Sequence, residues 1–384
     1  MTKCPRCFNV LPHDVWAFTE ENPDSVSVDA AASAYKGHPV QMGTIAEVGR
    51  DPGSPHGQPD LSAISAEFGS PAVELCPICH YTLPPNWRWG HATCLAMAGA
   101  RFTGKTVFIA VMVKRLQRHL EQMGQVLDFA NTETQQRYRR EYELPLFEER
   151  GLIPATQSAR VEASHQHDPL VFNIGRWNDQ PHYLAIRDVA GEDLENPGVG
   201  GQEWSFFSSA DAVLFLFDPM RVQEVKDQLR DLVPTDHRTG GDPRDVLRTV
   251  MRLIGPGTPQ LAVILSKFDA LQALRKVTSS SWGQVMSHAG AAFTRDPSLQ
   301  RGVYDEVDGA LLDAEVRSLL QRLDAGPTLY RPSNPTTGEY YDSRFFAVSA
   351  LGGSPQGNRV GATGISPFRC MDPVRWVLAR KQVL

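Results

Sequence analysis

The chain has 384 residues, which is more than one small domain needs and indicates two domains or one large domain with an appendage. Its hydrophobic fraction of 41% and charged fraction of 21% permit a sizeable core and exclude global disorder, collagen-like repeats and coiled-coil rods. The net charge of −6, from 38 basic and 44 acidic residues, provides no overall basic field. We therefore do not expect nucleic acid as the partner.

No apolar run reaches the length of a membrane span, and the first residues lack the apolar stretch of a secretory signal. We expect a cytoplasmic protein with no membrane span. Because cytosolic thiols are kept reduced, the six cysteines are interpreted as metal ligands, buried thiols or catalytic groups rather than disulfides.

Two segments near the N-terminus repeat each other, and both follow the pattern C-P-x-C-x-x-x-L-P. Two such knuckles can supply four thiolates to a closed tetrahedral Zn²⁺ site. The predicted ligands are Cys4, Cys7, Cys76 and Cys79. A redox C-x-x-C pair and unrelated buried cysteines are the alternative interpretations. The two other cysteines, Cys94 and Cys370, are expected in the core.

Residues 1–91 are predicted to form a zinc-ribbon-like module with a flexible internal loop, because residues 49–60 are rich in Gly and Pro and show no periodicity. From about residue 92 the pattern becomes strand–helix alternation, which predicts an α/β domain, doubly wound around a mostly parallel sheet, over residues 92–384. Strands are predicted at 93–98, 170–177, 182–189, 212–217, 261–265 and 345–348, and helices at 107–127, 304–323 and 373–384.

A phosphate-binding loop is predicted between the first of these strands and the first helix. The match to G-x-x-x-x-G-K-[ST] consists of Gly99, Ala100, Arg101, Phe102, Thr103, Gly104, Lys105 and Thr106. Its glycines let backbone N–H groups face a β-phosphate, and the helix adds its positive N-terminal dipole. In this interpretation Lys105 neutralises phosphate charge and the Thr106 hydroxyl ligates Mg²⁺. An accidental glycine-rich turn is the alternative.

Three later motifs each follow an apolar strand. Asp188 and Gly191 form D-x-x-G, in which the aspartate holds Mg²⁺ through water and the glycine N–H reaches a γ-phosphate. The second motif, Ser266, Lys267 and Asp269, is a variant of N-K-x-D, in which the aspartate accepts the two guanine N–H donors and the lysine lies along the base. At the third, Ser349, Ala350 and Leu351, a backbone N–H can meet the guanine O6. A helix cap or hairpin role for Asp188, and a helix N-cap role for Asp269, are the alternatives.

With these motifs in this order, the chain resembles the P-loop GTPases of the translation-factor and Ras-like (TRAFAC) class. Within that class it is similar to the bacterial double-GTPase (DO-GTPase) group, on phrases that begin at Asp188, Ala210 and Asp372. The resemblance covers about residues 92–384 and implies a guanine-nucleotide switch that uses GTP, GDP and Mg²⁺. The family also has a switch threonine that ligates Mg²⁺, for which Thr156 is the candidate here. An exposed loop threonine is the alternative.

Two departures from the family bear on activity. Ser266 replaces an asparagine that ties the base-binding loop to the phosphate loop, so affinity for guanine is expected to be lower. Glu192 stands where Ras-like enzymes place a water-orienting glutamine, so slow intrinsic hydrolysis is expected. Lys105, Thr156, Gly191 and Glu192 are the predicted catalytic residues. Between Asp269 and Ser349 the chain is longer than a minimal GTPase, and a helical insert is predicted at about 272–342, over the base side as a lid or partner surface.

The sequence thus favours a GTPase that signals to, or assembles with, a protein partner, with self-association as a further option. The alternatives are a nucleotide-binding scaffold with little or no hydrolysis, for which Glu192 is the favouring feature, and an ATPase with an accidental S-K-x-D.

Overall fold

The protein combines a small N-terminal sheet with a larger, mostly parallel sheet of seven strands. The computed structural model describes residues 2–154, 168–196, 198–229, 240–276, 281–297, 302–355, 357, 359–361 and 364–384.

Short elements fill the interval between the two cysteine knuckles. They are β1 (Val15–Glu20), β2 (Ser27–Asp29), α1 (Ala30–Lys36), β3 (Val40–Met42), β4 (Ile45–Gly49), α2 (Leu61–Phe68) and β5 (Ala72–Leu75). β1 pairs antiparallel with both β4 and β5, and Trp16, Phe18 and Ile64 form the core of this sheet. Residues 50–60 contain turns and one short 3-10 helix, Pro55–Gly57, but no α-helix or strand. The surrounding elements are absent from the sequence-based predictions because none exceeds eight residues, which is too short for a clear periodicity.

The larger sheet is built from the rest of the chain. Its strands are β6 (His91–Ala98), β7 (Asp128–Phe129), β8 (Leu170–Trp177), β9 (Gln180–Arg187), β10 (Ala212–Phe217), β11 (Gln260–Leu265) and β12 (Ser343–Ala347), in the spatial order β12-β11-β10-β6-β9-β8-β7. β6, β9, β10, β11 and β12 are mutually parallel, whereas β7 and β8 are antiparallel to their neighbours. The predicted mixed α/β fold with a mostly parallel sheet is confirmed. The carboxyl ends of the five parallel strands meet at one edge, where ligands bind in such sheets.

The helices connect these strands. They are α3 (Lys105–Gln122), α4 (Thr132–Tyr138), α5 (Gly191–Leu194), α6 (Phe206–Ser209), α7 (Gln223–Leu229), α8 (Pro243–Ile254), α9 (Phe268–Gln272), α10 (Ser281–Met286), α11 (Glu306–Arg322), α12 (Pro327–Tyr330) and α13 (Asp372–Arg380), with a π-helical segment at Arg139–Glu148. The interval predicted as a helical insert contains α10, α11 and α12. Among the described helices, none combines the length and hydropathy needed to cross a membrane.

Most element boundaries differ from the prediction by a few residues, and two of these differences have clear local reasons. The first helix ends at Gln122 rather than 127, because Gly124 adopts a left-handed φ of +75° that a helix cannot continue through. The turn between β8 and β9 consists only of Asn178 and Asp179, which both have the positive φ that a two-residue hairpin turn requires. β9 therefore begins at Gln180 rather than at the predicted residue 182, and Pro181 lies inside the strand.

His182 on β9 predicts acid sensitivity of the fold. Burial, together with the nearby His91, lowers the pKa of His182 to about 4 from the ordinary 6.5, so the folded protein holds this ring neutral. A base with a depressed folded-state pKa stabilises the protein above the unfolded pKa, and that stability is lost as pH falls from 6.5 toward 4. Between pH 7 and pH 5 the free energy of unfolding is expected to fall by about 2 kcal/mol through this residue. Urea unfolding of the parent and of His182→Gln at both pH values measures the difference; equal pH dependence in the two proteins contradicts the prediction.

Candidate phosphate-binding loop and cysteine cluster

The loop that follows β6 curls tightly and leads into α3. Gly99, Phe102 and Gly104 have φ values of +141°, +59° and +88°. A Cβ at Gly99 would collide with the carbonyl of Leu216 on β10, so only glycine fits there. A curl of this kind turns successive N–H groups toward one centre, here at the N-terminus of an 18-residue helix. The loop therefore has the geometry of an anion site.

Lys105 is buried beside this loop. Its Nζ donates to the carbonyl oxygens of Gly99 at 2.7 Å and Ala100 at 3.0 Å. Burial lowers the pKa of Lys105 to about 8, although Asp188 and Glu195 oppose the change. The ammonium thus has no carboxylate within ion-pair distance among the described contacts, and an added phosphate would give it a strong partner.

Asp188, at the end of β9, faces the start of α3. Its Oδ2 accepts from the Thr106 hydroxyl at 3.3 Å and from the Tyr142 hydroxyl at 3.4 Å. Its Oδ1 is buried and has no hydrogen-bond partner among the described residues. Burial raises the pKa of Asp188, and Lys105 and Thr106 only partly oppose this. An orphaned carboxylate oxygen beside a threonine hydroxyl is a donor set that suits Mg²⁺.

Gly191 packs directly on the phosphate-loop backbone, because a Cβ there would collide with Ala100 and with the amide nitrogen of Arg101. The predicted catalytic residue Glu192 lies 3.7 Å from the Arg101 guanidinium, and both side chains are about half exposed. An exposed pair of this kind is weak. Glu195, one turn further on, accepts the backbone N–H of Arg101 at 2.8 Å.

The loop after β11 contacts the ends of β10 and β12. Ser266 donates through both its backbone N–H and its hydroxyl to the Phe217 carbonyl, each at 2.9 Å. Lys267 has a left-handed φ of +52°, and its Nζ lies 2.9 Å from Oδ2 of the buried Asp218. The serine hydroxyl is thus bonded to the carbonyl at the end of β10.

Asp269 meets the loop after β12. Its Oδ1 accepts from the Ser349 hydroxyl at 2.5 Å, and the Ser349 oxygen accepts the Gly352 N–H at 3.0 Å. Ala350 and Leu351 follow Ser349 and are half-buried. Asp269, which the sequence alternatively assigned to a helix N-cap, lies in the first turn of α9. The structure thus brings the second and third downstream motifs together at the carboxyl edge of the sheet.

The predicted switch residue Thr156 lies outside the described residues. Four contacting residues were missed by sequence reasoning: Tyr142, Arg187, Glu195 and Asp218. For Asp218 a signal existed, since Asp-Pro follows the continuous apolar strand β10 at the edge that carries the other motifs. The other three contact the loops from positions with no distinctive local pattern.

The two cysteine knuckles have the same backbone form. Cys4 N–H donates to Asn9 and Cys76 N–H donates to Tyr81, at 2.8 and 2.9 Å. The fifth residue of each, Phe8 and His80, has a left-handed φ of +61° and +54°. The sequence repeat is therefore a structural repeat.

The knuckles bring four buried sulfurs together. All four Sγ atoms of Cys4, Cys7, Cys76 and Cys79 lie within 4.8 Å of one another, with 3.6 Å between Cys4 and Cys79 and 3.9 Å between Cys7 and Cys76. These separations are too long for a disulfide, and all six cysteines are free. Thiolates at the usual Zn–S distance of about 2.3 Å around a tetrahedral ion stand roughly 3.8 Å apart. The cluster therefore fits a structural metal ion such as zinc.

The first knuckle is fastened to β9. Arg187, the residue before Asp188, donates from Nη1 to the Arg6 carbonyl at 2.8 Å, and its guanidinium lies 3.6 Å over the ring of Phe206. Phe8 contacts the same ring edge-on at 5.6 Å between centroids. Burial lowers the pKa of Arg187 to about 9. The Arg187 side chain thus joins the first knuckle to the strand residue that directly precedes Asp188.

Comparison with known proteins supplies one full-length relative. No family model matches the chain. Among solved structures, similar chains include a bacterial selenocysteine-specific elongation factor EF-Sec, 12% identical with a TM-score of 0.26, over 76% of this chain and 29% of that one. Another is sup35 complexed with GDP, 13% identical with a TM-score of 0.26, over 72% of this chain and 41% of that one.

The full-length relative is the "Putative ESX-1 scaffolding and assembly protein SaeC" of Mycolicibacterium smegmatis (strain ATCC 700084 / mc(2)155). The identity is 48% over 386 residues, and the alignment covers 100% of both chains. At that identity and coverage, the chain belongs to the same family as this scaffolding and assembly protein.

Proposed function

We propose that the protein is a guanine-nucleotide switch that binds GTP, hydrolyses it slowly to GDP and phosphate, and in doing so controls its assembly with a protein partner. The observation that carries this proposal is the placement of four motifs at one sheet edge, after β6, β9, β11 and β12. Under it, residues 1–91 are a zinc-binding module and residues 92–384 a P-loop GTPase domain with a helical insert at about 272–342.

The phosphate side is assigned to the loop and its neighbours. The N–H groups of residues 99–106 and the Lys105 ammonium would hold the phosphates, and Thr106, Asp188 and Thr156 would hold Mg²⁺, which neutralises phosphate charge when bound. Gly191 would offer its N–H to the third phosphate. Glu192 would orient water, and its carboxylate replaces the neutral amide used by faster enzymes, so we expect slow turnover without a partner.

The base side is assigned to the two loops that meet at Ser349. The Asp269 carboxylate would accept the guanine N–H donors once the Ser349 hydroxyl, 2.5 Å away, turns aside. Lys267 would lie along the base, with its charge balanced by Asp218 at 2.9 Å. Ser266 stands where the GTPases that the chain resembles have an asparagine. One bond between these loops and the phosphate loop is therefore missing, so we expect a modest affinity for guanine nucleotide.

A scaffold with little or no hydrolysis is the second candidate. The full-length relative is named for scaffolding and assembly in ESX-1, and we extend that role to this chain as a proposal. The exposed Glu192 also favours this candidate. In both candidates nucleotide state changes which surface is offered to a protein partner, whereas only the first requires phosphate release.

One measurement establishes binding, and a second separates the two candidates. Native mass spectrometry of the purified protein reports bound guanine nucleotide and metal together, and we expect one of each. A single-turnover assay with GTP and Mg²⁺ then follows phosphate. Slow release supports the switch, and no release with nucleotide bound supports the scaffold. If ATP displaced labelled GDP as readily as GTP does, both candidates would be contradicted, because both require a preference for guanine.

Nucleotide affinity is expected to fall as pH rises above about 8, because Lys105 must be charged to hold phosphate and its pKa in the free protein is about 8. Bound phosphate would raise that pKa, so binding takes up a proton above pH 8 and none well below it. Above this pH, the nucleotide affinity is expected to fall by up to about tenfold for each pH unit. Isothermal titration with GDP from pH 7 to pH 9.5, in buffers of different ionisation enthalpy, measures both affinity and proton uptake. A constant affinity across this range contradicts the assignment of Lys105.

A further inference from the structure

Glu195 places a carboxylate on the phosphate loop. Its Oε1 accepts the backbone N–H of Arg101 at 2.8 Å, and its Oε2 lies 3.3 Å from Nε of the same arginine. The side chain is only 17% exposed, so the contact is more sheltered than the exposed pair that Arg101 makes with Glu192. A backbone N–H of this loop is the kind of donor that would otherwise hold a phosphate oxygen. The carboxylate is therefore an internal anion at an anion site.

The position of this contact along the loop indicates which phosphate it replaces. Gly191, whose N–H is assigned to the third phosphate, packs against Ala100 and Arg101. On that assignment the Arg101 end of the loop is the third-phosphate side, whereas Thr106 at the start of α3 would serve Mg²⁺. Glu195 binds at the Arg101 end.

Neighbouring backbone holds Glu195 in this place. A Cβ at Gly240 would lie 2.9 Å from the Arg101 carbonyl oxygen, and a Cβ at Gly241 would lie 2.9 Å from Cγ of Glu195. The carboxylate is thus packed between the phosphate loop and a glycine pair. A third phosphate bound at the Arg101 end would compete with the carboxylate for this volume, and the two anions would repel each other.

We propose that Glu195 is a specificity-determining residue that makes the site prefer a nucleoside diphosphate to a triphosphate. This inference rests on the proposed function. A diphosphate leaves the Glu195–Arg101 contact intact, whereas a triphosphate binds only after the carboxylate has left the loop. The free-energy cost of that departure falls on the triphosphate alone, so the residue acts on the ratio of the two affinities.

The test compares affinities for GDP and for a non-hydrolysable GTP analogue, both with Mg²⁺, in the full-length protein. Glu195→Gln removes the charge at constant shape, and Glu195→Ala removes the competing group. We expect the analogue to bind roughly tenfold more tightly to both variants, the size of one charge-assisted hydrogen bond. Affinity for GDP is expected to change by a smaller factor, so the ratio of the two affinities shifts toward the triphosphate analogue.

The matched control is Glu121→Gln. This exposed carboxylate lies near the C-terminal end of α3, about 24 Å along the helix from Lys105. The substitution therefore removes the same charge at a position that does not contact the loop. Equal gains for GDP and the analogue in the Glu195 variants, or no gain for either, would overturn the inference while leaving guanine-nucleotide binding established. Absence of binding of either nucleotide to the parent protein would instead overturn the proposed function, and the inference with it.

Discussion

Replacement of Lys105 by alanine is expected to lower the affinity for both GDP and GTP by roughly 100-fold. Among the described residues, the ammonium's hydrogen-bond partners are two carbonyl oxygens of the curled loop, at 2.7 and 3.0 Å. Because its burial depresses the pKa, the charge is costly in the free protein and becomes favourable only when an anion arrives. Titration calorimetry with GDP measures the loss.

This variant is also informative about folding. The ammonium is buried and has no carboxylate partner among the described residues, so its removal should leave the melting temperature nearly unchanged and weak binding would not reflect unfolding. Lys114→Ala is the control, since Lys114 lies on the same helix and pairs with Glu143 at 2.6 Å on a partly exposed face. Parent-like affinity in Lys105→Ala would contradict a phosphate role for the loop.

Replacement of Cys76 by serine is expected to remove the metal and to destabilise the N-terminal part of the chain. Structural zinc supplies on the order of 10 kcal/mol to small modules, and all four sulfurs here are fully buried. Elemental analysis should show one zinc per parent chain and almost none in the variant, with a fall in melting temperature and faster proteolysis between residues 20 and 75.

Cys94→Ala provides the matched control. Cys94 is equally buried but lies in β6, outside the cluster of four sulfurs. This variant should keep the full zinc content. Its free energy of unfolding should fall only by the cost of the small cavity that the missing sulfur leaves. Zinc retained at parent stoichiometry in Cys76→Ser would contradict the four-cysteine site.

Six of the seven strands of the larger sheet were predictable because they are apolar runs joined by amphipathic helices, whereas β7 has only two residues and was not predicted. β10 and β11 show this most clearly, since nearly every side chain of both is buried. The small sheet around β1 was not predictable, because three to six residues per strand give too little pattern. Asp29 and Asp60 cap its two helices and Gly37 and Gly69 end them, so the local signals were present but short.

At the candidate site, the loop and the order of the motifs followed from sequence, since carboxyl ends of parallel strands share one edge. The side-chain contacts between these loops could not be predicted from the sequence. Glu195 meets Arg101 across 94 positions, and Asp269 meets Ser349 across 80. Such contacts depend on how the loops pack, and no local periodicity encodes that packing.

The contact between Arg187 and the first knuckle places the two candidate ligand sites in one contiguous set of contacts. One buried guanidinium bonds the Arg6 carbonyl, and the next residue along the chain, directly after β9, is Asp188. If loss of the metal displaces Arg6 and thereby shifts Asp188, nucleotide affinity changes by some factor. Reciprocity then requires that nucleotide change the metal affinity by the same factor.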